Sequence, residues 1–121
     1  MTHTNLDAVR RPLDQANGLP NAHYIDAAVF DEERTAVLAS GWSGLAVGAD
    51  VPEVGDAVPL TFLGMPLLIV RDRAARVRVF QNICRHRGMI LVDAPRKIEG
   101  AIRCPYHSWC YSTDGRLVST P

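Results

Sequence analysis

The segment CRHRGMILVDAPRKIEGAIRCPYH, residues 84–107, decides how the whole chain is interpreted. It contains two of the three cysteines and two of the four histidines in a chain of 121 residues. They form two mixed pairs, Cys84-x-His86 and Cys104-x-x-His107. Thiolate and imidazole groups at fixed, close spacing are typical metal ligands. The segment therefore predicts a metal centre built from these four side chains.

Each pair comes directly after a segment that resembles a β-strand. VRVFQNI precedes Cys84 and IEGAIR precedes Cys104, and both are rich in β-branched residues with partial period-two alternation. Gly88 follows the first pair and Pro105 lies inside the second, as suits tight ligand loops. We expect two β-hairpin tips to meet and to share one metal centre.

The rest of the sequence after Gly41 predicts a small antiparallel β domain. Short segments rich in Val, Leu and Ile alternate with Gly, Pro or Asp, beginning with GLAVGADV at residues 44–51. PLLIV, residues 66–70, lacks alternation and suits a strand that is covered on both faces. Asp114-Gly115 predicts a hairpin turn, whereas Ala74-Ala75 predicts a weaker one because alanine disfavours positive φ.

The sequence up to Gly41 predicts one short helix. In FDEERTAVLASG, residues 30–41, Asp31 can act as the N-cap and Ser40-Gly41 can end the helix. Residues 1–22 are polar and contain Pro and Gly, so we expect an extended N-terminal segment. The predicted fold class is therefore mainly β, a small antiparallel sandwich or barrel-like domain preceded by one short helix.

Composition gives no sign of a nucleic-acid or membrane partner. The formal net charge is +0, although basic side chains are concentrated after Val70 and acidic ones before Arg71. This distribution has two interpretations, either two parts of the chain that attract each other or a basic face that docks an acidic redox partner.

The sequence also predicts a cytoplasmic location. Its first residues lack the apolar stretch of an export signal. The longest apolar run, FLGMPLLIV, falls well short of the roughly 20 residues that span a bilayer. Three cysteines are too few, and odd in number, for a secreted disulfide scaffold.

The order of the ligands narrows the type of metal centre. Zinc fingers pair cysteine with cysteine and histidine with histidine, and this pattern is absent, as is a C-x-x-C redox motif. Two mixed pairs suit a [2Fe–2S] cluster with both thiolates on one iron and both imidazoles on the other. Such a centre is neutral when oxidised and accepts an electron more readily than an all-cysteine cluster. A structural zinc site with the same four ligands remains an alternative.

These segments resemble the Rieske domain of Rieske non-haem iron oxygenase α subunits, the ring-hydroxylating dioxygenases and their monooxygenase relatives. The family pattern C-x-H followed by C-x-x-H matches the four predicted ligands. The resemblance extends back to about Tyr24 and places the domain at residues 23–121. CRHRG and CPYHSWCY match the family beyond the ligands, through Arg87, Gly88, Pro105, Tyr106, Trp109 and Tyr111.

The resemblance implies one-electron transfer that feeds an O₂-dependent hydroxylation of an organic substrate. A ferredoxin or flavin reductase would supply electrons to a homotrimer, in which His107 faces a carboxylate bridge to the mononuclear Fe(II) of a neighbouring subunit. That iron requires two histidines and a carboxylate, which His3 and His23 do not provide, so we expect it in a catalytic domain absent from this chain. A free-standing Rieske-type ferredoxin is the alternative.

Departures from respiratory Rieske proteins suggest a low reduction potential. Those proteins have a disulfide where this chain has Met89 and Tyr106, and a serine bonded to the cluster where it has Trp109. With fewer hydrogen bonds to sulfur, we expect a potential on the order of −150 mV.

The remaining residues near the ligands receive simpler expectations. We expect Cys110 to be a buried or half-buried free thiol, because it points away from its neighbours on a strand. Trp109 and Tyr111 are expected to form a hydrophobic wall. Arg85 and Arg87 are either surface charges or part of a docking and electron-entry surface.

Overall fold

The computed structural model describes residues 6–121, and the chain divides between Ser43 and Gly44 into two compact units. The boundary predicted between residues 22 and 23 stays a prediction, and residues 1–5 of the predicted extended segment lie outside the described residues. In the described part of the chain, no helix combines the length and apolar character needed to cross a membrane.

The first unit contains helical segments that begin earlier than expected. Residues 6–21 contain turns, followed by α1 (Ala22–Ile25), α2 (Ala27–Glu33) and a π-helical turn over Arg34–Leu38. The prediction that Asp31 is the N-cap is wrong, because Asp31 lies inside α2. Asp26 caps α2 instead, since its carboxylate accepts a hydrogen bond of 2.8 Å from the Ala28 N–H group.

The second unit contains seven strands in two antiparallel sheets. The larger sheet has the order β3-β2-β1-β4 and the smaller one has the order β5-β6-β7. The strands are β1 (Asp56–Phe62), β2 (Met65–Arg71), β3 (Val77–Gln81), β4 (Arg96–Lys97), β5 (Ile102–Arg103), β6 (Cys110–Tyr111) and β7 (Leu117–Ser119). The predicted mainly β, antiparallel class is confirmed, but the described strands form no closed barrel. The strand predicted over residues 44–51 is absent, and this segment contains a 3₁₀ turn at Gly48–Asp50.

Turn chemistry explains three of the hairpins, those that join β1 to β2, β2 to β3 and β6 to β7. Leu63 and Gly64 both have positive φ (51° and 82°), as a two-residue loop between β1 and β2 requires. The predicted turn at Asp114-Gly115 joins β6 to β7, with Gly115 at φ 94°. The turn between β2 and β3 accepts Ala75 at φ 60°, because the Asp72 carboxylate binds the N–H groups of the turn.

The core of this unit joins both sheets to the predicted metal ligands. Leu68, Ile69 and Val70 of β2 are all buried, as expected for a strand covered on both faces. One apolar cluster contains residues of both sheets together with the two cysteines of the predicted site, and its members are Ala57, Leu68, Val70, Cys84, Leu91, Val92, Ile102, Cys104 and Tyr111. The thiols are therefore part of the packed core.

Candidate metal centre

The first ligand loop is closed by two backbone hydrogen bonds around Cys84. The Cys84 N–H group donates to the carbonyl of Met89 (2.7 Å), and the Gly88 N–H group donates to the carbonyl of Cys84 (2.9 Å). Ile83 and Ile90 form an antiparallel bridge at the base of the loop. The loop thus reverses the chain tightly and projects its tip out of the sheet.

The second ligand loop has the same frame, meaning the same pair of backbone hydrogen bonds at equivalent positions around its cysteine. The Cys104 N–H group donates to the carbonyl of Trp109 (2.8 Å), and the Ser108 N–H group donates to the carbonyl of Cys104 (3.1 Å). Arg103 pairs with Cys110 at its base, in β5 and β6. Both loops therefore present a cysteine at the same structural position, as two hairpin tips sharing one centre require.

The frames also need positive φ at equivalent positions. Gly88 has φ 71°, and its counterpart Ser108 has φ 59°. Glycine adopts this conformation without strain, whereas serine pays a steric cost. The loops differ in ligand spacing, because His86 lies two residues after its cysteine and His107 lies three after its own.

The two thiols lie in a buried environment, and the Cys84 sulfur lies next to a tyrosine hydroxyl. Cys84 and Cys104 are each 2% exposed. The Tyr111 hydroxyl lies 3.3 Å from the Cys84 sulfur and accepts a hydrogen bond of 2.9 Å from the Arg85 N–H group. Since its oxygen accepts from Arg85, the hydroxyl proton is available to the Cys84 sulfur.

This arrangement favours a thiolate at Cys84. Burial opposes ionisation, but the hydrogen bond from Tyr111 and the N–H groups of His86 and Arg87 outweigh it and lower the pKa of Cys84. Burial, together with the neighbouring Cys84, raises the pKa of Tyr111, so the phenol keeps its proton. A predicted sulfur ligand and a protonated hydrogen-bond donor therefore lie side by side.

The two imidazoles meet at the loop tips. The ring centroids of His86 and His107 are 4.8 Å apart. Loss of solvation, followed by the charges of His107 and Arg87, lowers the pKa of His86, which favours the neutral form that binds metals. The His107 Nδ1 atom is buried and has no hydrogen-bond partner. A buried imidazole nitrogen without a partner fits a metal ligand, because it would otherwise cost free energy.

Aromatic side chains of the second loop pack on both imidazoles. Trp109 stacks on His86 with centroids 4.9 Å apart and an interplanar angle of 9°. The Tyr106 ring packs on that of His107, with centroids 3.7 Å apart and an interplanar angle of 36°. Among the described residues, no three Cys, His, Asp or Glu side chains converge in a way that could hold one metal ion. A binuclear cluster takes two protein ligands on each iron, so its donors need not converge on a single point.

The structure places the two predicted imidazole ligands side by side and the two predicted thiol ligands in one buried cluster, and it gives Tyr111 a contact that the sequence did not predict. Tyr111, expected only as part of a hydrophobic wall, places its hydroxyl against the sulfur of Cys84. Trp109 does pack as a wall, against His86. Cys110 is a buried free thiol, as expected, and its sulfur donates to the Ser108 carbonyl.

Other predicted neighbours lie at the surface of the loops. Pro105 and Tyr106 are exposed in the second loop, and Arg85 and Arg87 are exposed in the first. Arg85 contributes its backbone N–H group to Tyr111. Gly88 provides the positive φ that the first loop needs.

Comparison with known proteins agrees with this geometry. Residues 41–121 match the family described as Rieske [2Fe-2S] domain. The carnitine monooxygenase oxygenase subunit of Acinetobacter pittii is 33% identical over 105 residues, which are 87% of this chain and 28% of that protein. The biphenyl dioxygenase subunit alpha of Metapseudomonas furukawaii is 34% identical over 123 residues, covering 100% of this chain and 27% of that protein.

A solved structure shows the same fold. The quaternary ammonium Rieske monooxygenase, whose structure was described for its inter-subunit electron transfer, superposes with a TM-score of 0.78 and 31% identity. The superposition covers 87% of this chain and 29% of that one. This chain thus spans less than a third of the length of these relatives, which are oxygenase subunits. On the match over residues 41–121, the chain belongs to the Rieske [2Fe–2S] domain family.

Proposed function

We propose that this chain is the electron-transfer module of a Rieske oxygenase α subunit, with Cys84 and Cys104 holding one iron and His86 and His107 the other. One observation carries the proposal. The buried His107 Nδ1 atom has no hydrogen-bond partner, and the centroid of its ring lies 4.8 Å from that of His86. The cluster, when bound, accepts and releases one electron at a time.

The surrounding residues suit this task by giving the two ends of the site different environments. The thiols of Cys84 and Cys104 lie in the apolar core, where water is excluded. His86 is exposed and His107 is only partly buried. The imidazole end is therefore the end from which an electron has the shorter route to a partner, while the sulfur end is protected.

The exposed face of the loops supports docking of a redox partner. Arg85 and Arg87 are exposed beside His86, and within the described residues neither forms an ion pair, while Met89 and Tyr106 add exposed apolar surface. A positive rim around an apolar centre complements an acidic electron donor. We assign this donor to a ferredoxin or flavin reductase.

The proposal also includes what lies outside this chain. The relatives are oxygenase subunits of which this chain spans 27% or 28%. The mononuclear Fe(II) that activates O₂ would be held by a further domain, and His107 would face a carboxylate of a neighbouring subunit in a homotrimer. Hydroxylation of an organic substrate is thus the activity of the assembled protein.

The third cysteine provides a matched control for a test of the ligand set. The chain is loaded anaerobically with iron and sulfide, alongside Cys104→Ser and Cys110→Ser. Both substitutions replace a buried sulfur by oxygen, but the Cys110 sulfur donates its hydrogen bond to the Ser108 carbonyl and is not a proposed ligand. Bound iron, labile sulfide and zinc are measured, together with the visible spectrum and the electron paramagnetic resonance of the reduced protein.

We expect the wild type and Cys110→Ser to bind two irons and two sulfides per chain and to be red-brown, and Cys104→Ser to lose the centre. A colourless wild type that retains zinc through iron loading would contradict the proposal. Equal loss of iron in the two variants would contradict it as well.

A further inference from the structure

Asn82 is a buried polar residue directly after β3, and it clamps the first ligand loop. It is 2% exposed. Its side-chain N–H group donates to the Val92 carbonyl (2.6 Å), and its side-chain oxygen accepts from the Val92 N–H group (3.0 Å). Its own backbone N–H group donates to the Pro66 carbonyl of β2 (2.8 Å). The residue thus ties both ends of the segment 82–92 to each other and to the larger sheet.

The second ligand loop shows what this clamp replaces. Two residues before Cys104, Ile102 pairs with Tyr111 as part of the β5–β6 ladder. In the first loop the corresponding position is Asn82, and the ladder consists only of the isolated bridge between Ile83 and Ile90. A side-chain amide offers one donor face and one acceptor, as a backbone peptide does. The amide of Asn82 therefore substitutes for a strand rung, although it binds Val92, one residue beyond Leu91, the partner that the register of the second loop would give.

We propose that Asn82 is a positioning residue for the metal centre, holding Cys84 and His86 at the distance from the second loop that the cluster needs. The inference rests on the ligand set proposed above. Both backbone groups of Val92 are buried in these bonds. The loop cannot widen without leaving them without partners, which is unfavourable in a protein interior. The clamp thus resists the movement by which a cluster would be lost.

Two substitutions remove the hydrogen bonds of the clamp in steps. Asn82→Asp keeps the shape and the acceptor for the Val92 N–H group but loses the donor to its carbonyl. Asn82→Ala removes both bonds. Asp72→Asn is the control, because Asp72 is equally buried at 2% exposure and binds only the β2–β3 turn and the side chains of Arg76 and Arg78. It should lower stability without altering either ligand loop.

The test compares cluster loss among folded proteins. Each protein is loaded with iron and sulfide, its unfolding midpoint is measured by circular dichroism, and the loss of visible absorbance in excess chelator is followed well below every midpoint. We expect both Asn82 variants to lose the cluster about tenfold or more faster than the wild type, with Asn82→Ala the faster. Asp72→Asn should lose it at the wild-type rate. If Asn82→Ala does not fold, Asn82→Asp decides the matter.

Two outcomes would overturn this inference alone. One is a wild-type rate of cluster loss in Asn82→Asp. The other is a single relation between the rate of cluster loss and the unfolding midpoint that holds for the Asn82 variants and for Asp72→Asn alike. This would mean that Asn82 acts only on overall stability. A wild-type chain that takes up no cluster would instead overturn the ligand set, and this inference with it.

Discussion

Replacing Tyr111 with phenylalanine should lower the reduction potential of the centre. The substitution removes one oxygen atom from a side chain that is 7% exposed and keeps its ring in the core. The lost hydroxyl lies 3.3 Å from the Cys84 sulfur. Because the Arg85 N–H group already donates to this oxygen, the hydroxyl proton is directed to sulfur, where electron density increases on reduction.

The expected size follows from the energy of a hydrogen bond to a charged group. Such a bond contributes about 1.5–3 kcal/mol, and only the part gained on reduction affects the potential. If reduction strengthens the bond by about 1 kcal/mol, the midpoint of a one-electron couple falls by about 40 mV when the bond is removed. The Arg85 N–H group loses its acceptor in both redox states, so this loss lowers stability and largely cancels from the potential.

The assay is spectroelectrochemical titration of the visible absorbance of the wild type and Tyr111→Phe. Tyr106→Phe is the matched control, because Tyr106 contacts His107 through its ring and the described structure gives its hydroxyl no bond to either thiol. We expect its midpoint to equal that of the wild type. A Tyr111→Phe midpoint equal to or above the wild-type value would refute the reasoning, as would the same shift in Tyr106→Phe.

Four further predictions concern the surrounding fold and surface. Ser108→Gly should raise the free energy of unfolding by about 0.5–1 kcal/mol in a denaturant titration, because the relief of positive φ exceeds the entropy cost of glycine; an unchanged or lower value would contradict this. Gly115→Ala should lower the free energy of unfolding by more than about 1 kcal/mol. Gly115 has φ 94°, which alanine disfavours, and a Cβ atom there would lie 2.5 Å from the Phe80 ring. A neutral effect would contradict the packing. Hydrogen bonds from the Arg76 backbone and the Arg78 side chain lower the pKa of Asp72 from 3.8 to about 2. Its stabilisation is therefore complete only above about pH 5 and is lost as the pH falls through about 2. Asp72→Asn should remove this acid-sensitive part of the stability, and an unchanged pH profile of thermal unfolding would oppose the assignment. Arg87→Glu should slow reduction by an acidic donor protein and weaken the dependence of that rate on salt in stopped-flow measurements, whereas an unchanged rate would argue against docking at this face.

The sequence predicted most of what depends on local chemistry. The turn at Asp114-Gly115 follows from residues that tolerate positive φ, and the buried strand β2 follows from an uninterrupted apolar run. The proposed ligand residues were predicted from their spacing, which is a local pattern. In each case the information lies within a few neighbouring residues.

The features that the sequence did not reveal depend on distant partners. The Tyr111 hydroxyl meets a sulfur 27 residues away, and nothing in the residues around Tyr111 distinguishes it from a core aromatic. The Asn82 amide meets Val92 across the loop, and an asparagine next to a strand is ordinarily interpreted as a turn residue. The start of α2 was misplaced because Asp26 and Asp31 are equivalent as local cap signals.

The two ligand loops also explain why the imidazole end depends more on the second loop than on the first. With the same hydrogen-bonded frame, a histidine two residues after its cysteine and one three residues after cannot occupy equivalent positions. Their rings accordingly meet at 66° and do not stack on each other, which leaves a face of each free. Tyr106 and Trp109 cover these faces, and both come from the second loop. A change in the second loop therefore disturbs both imidazoles, whereas a change in the first acts mainly on His86 and the adjacent sulfur.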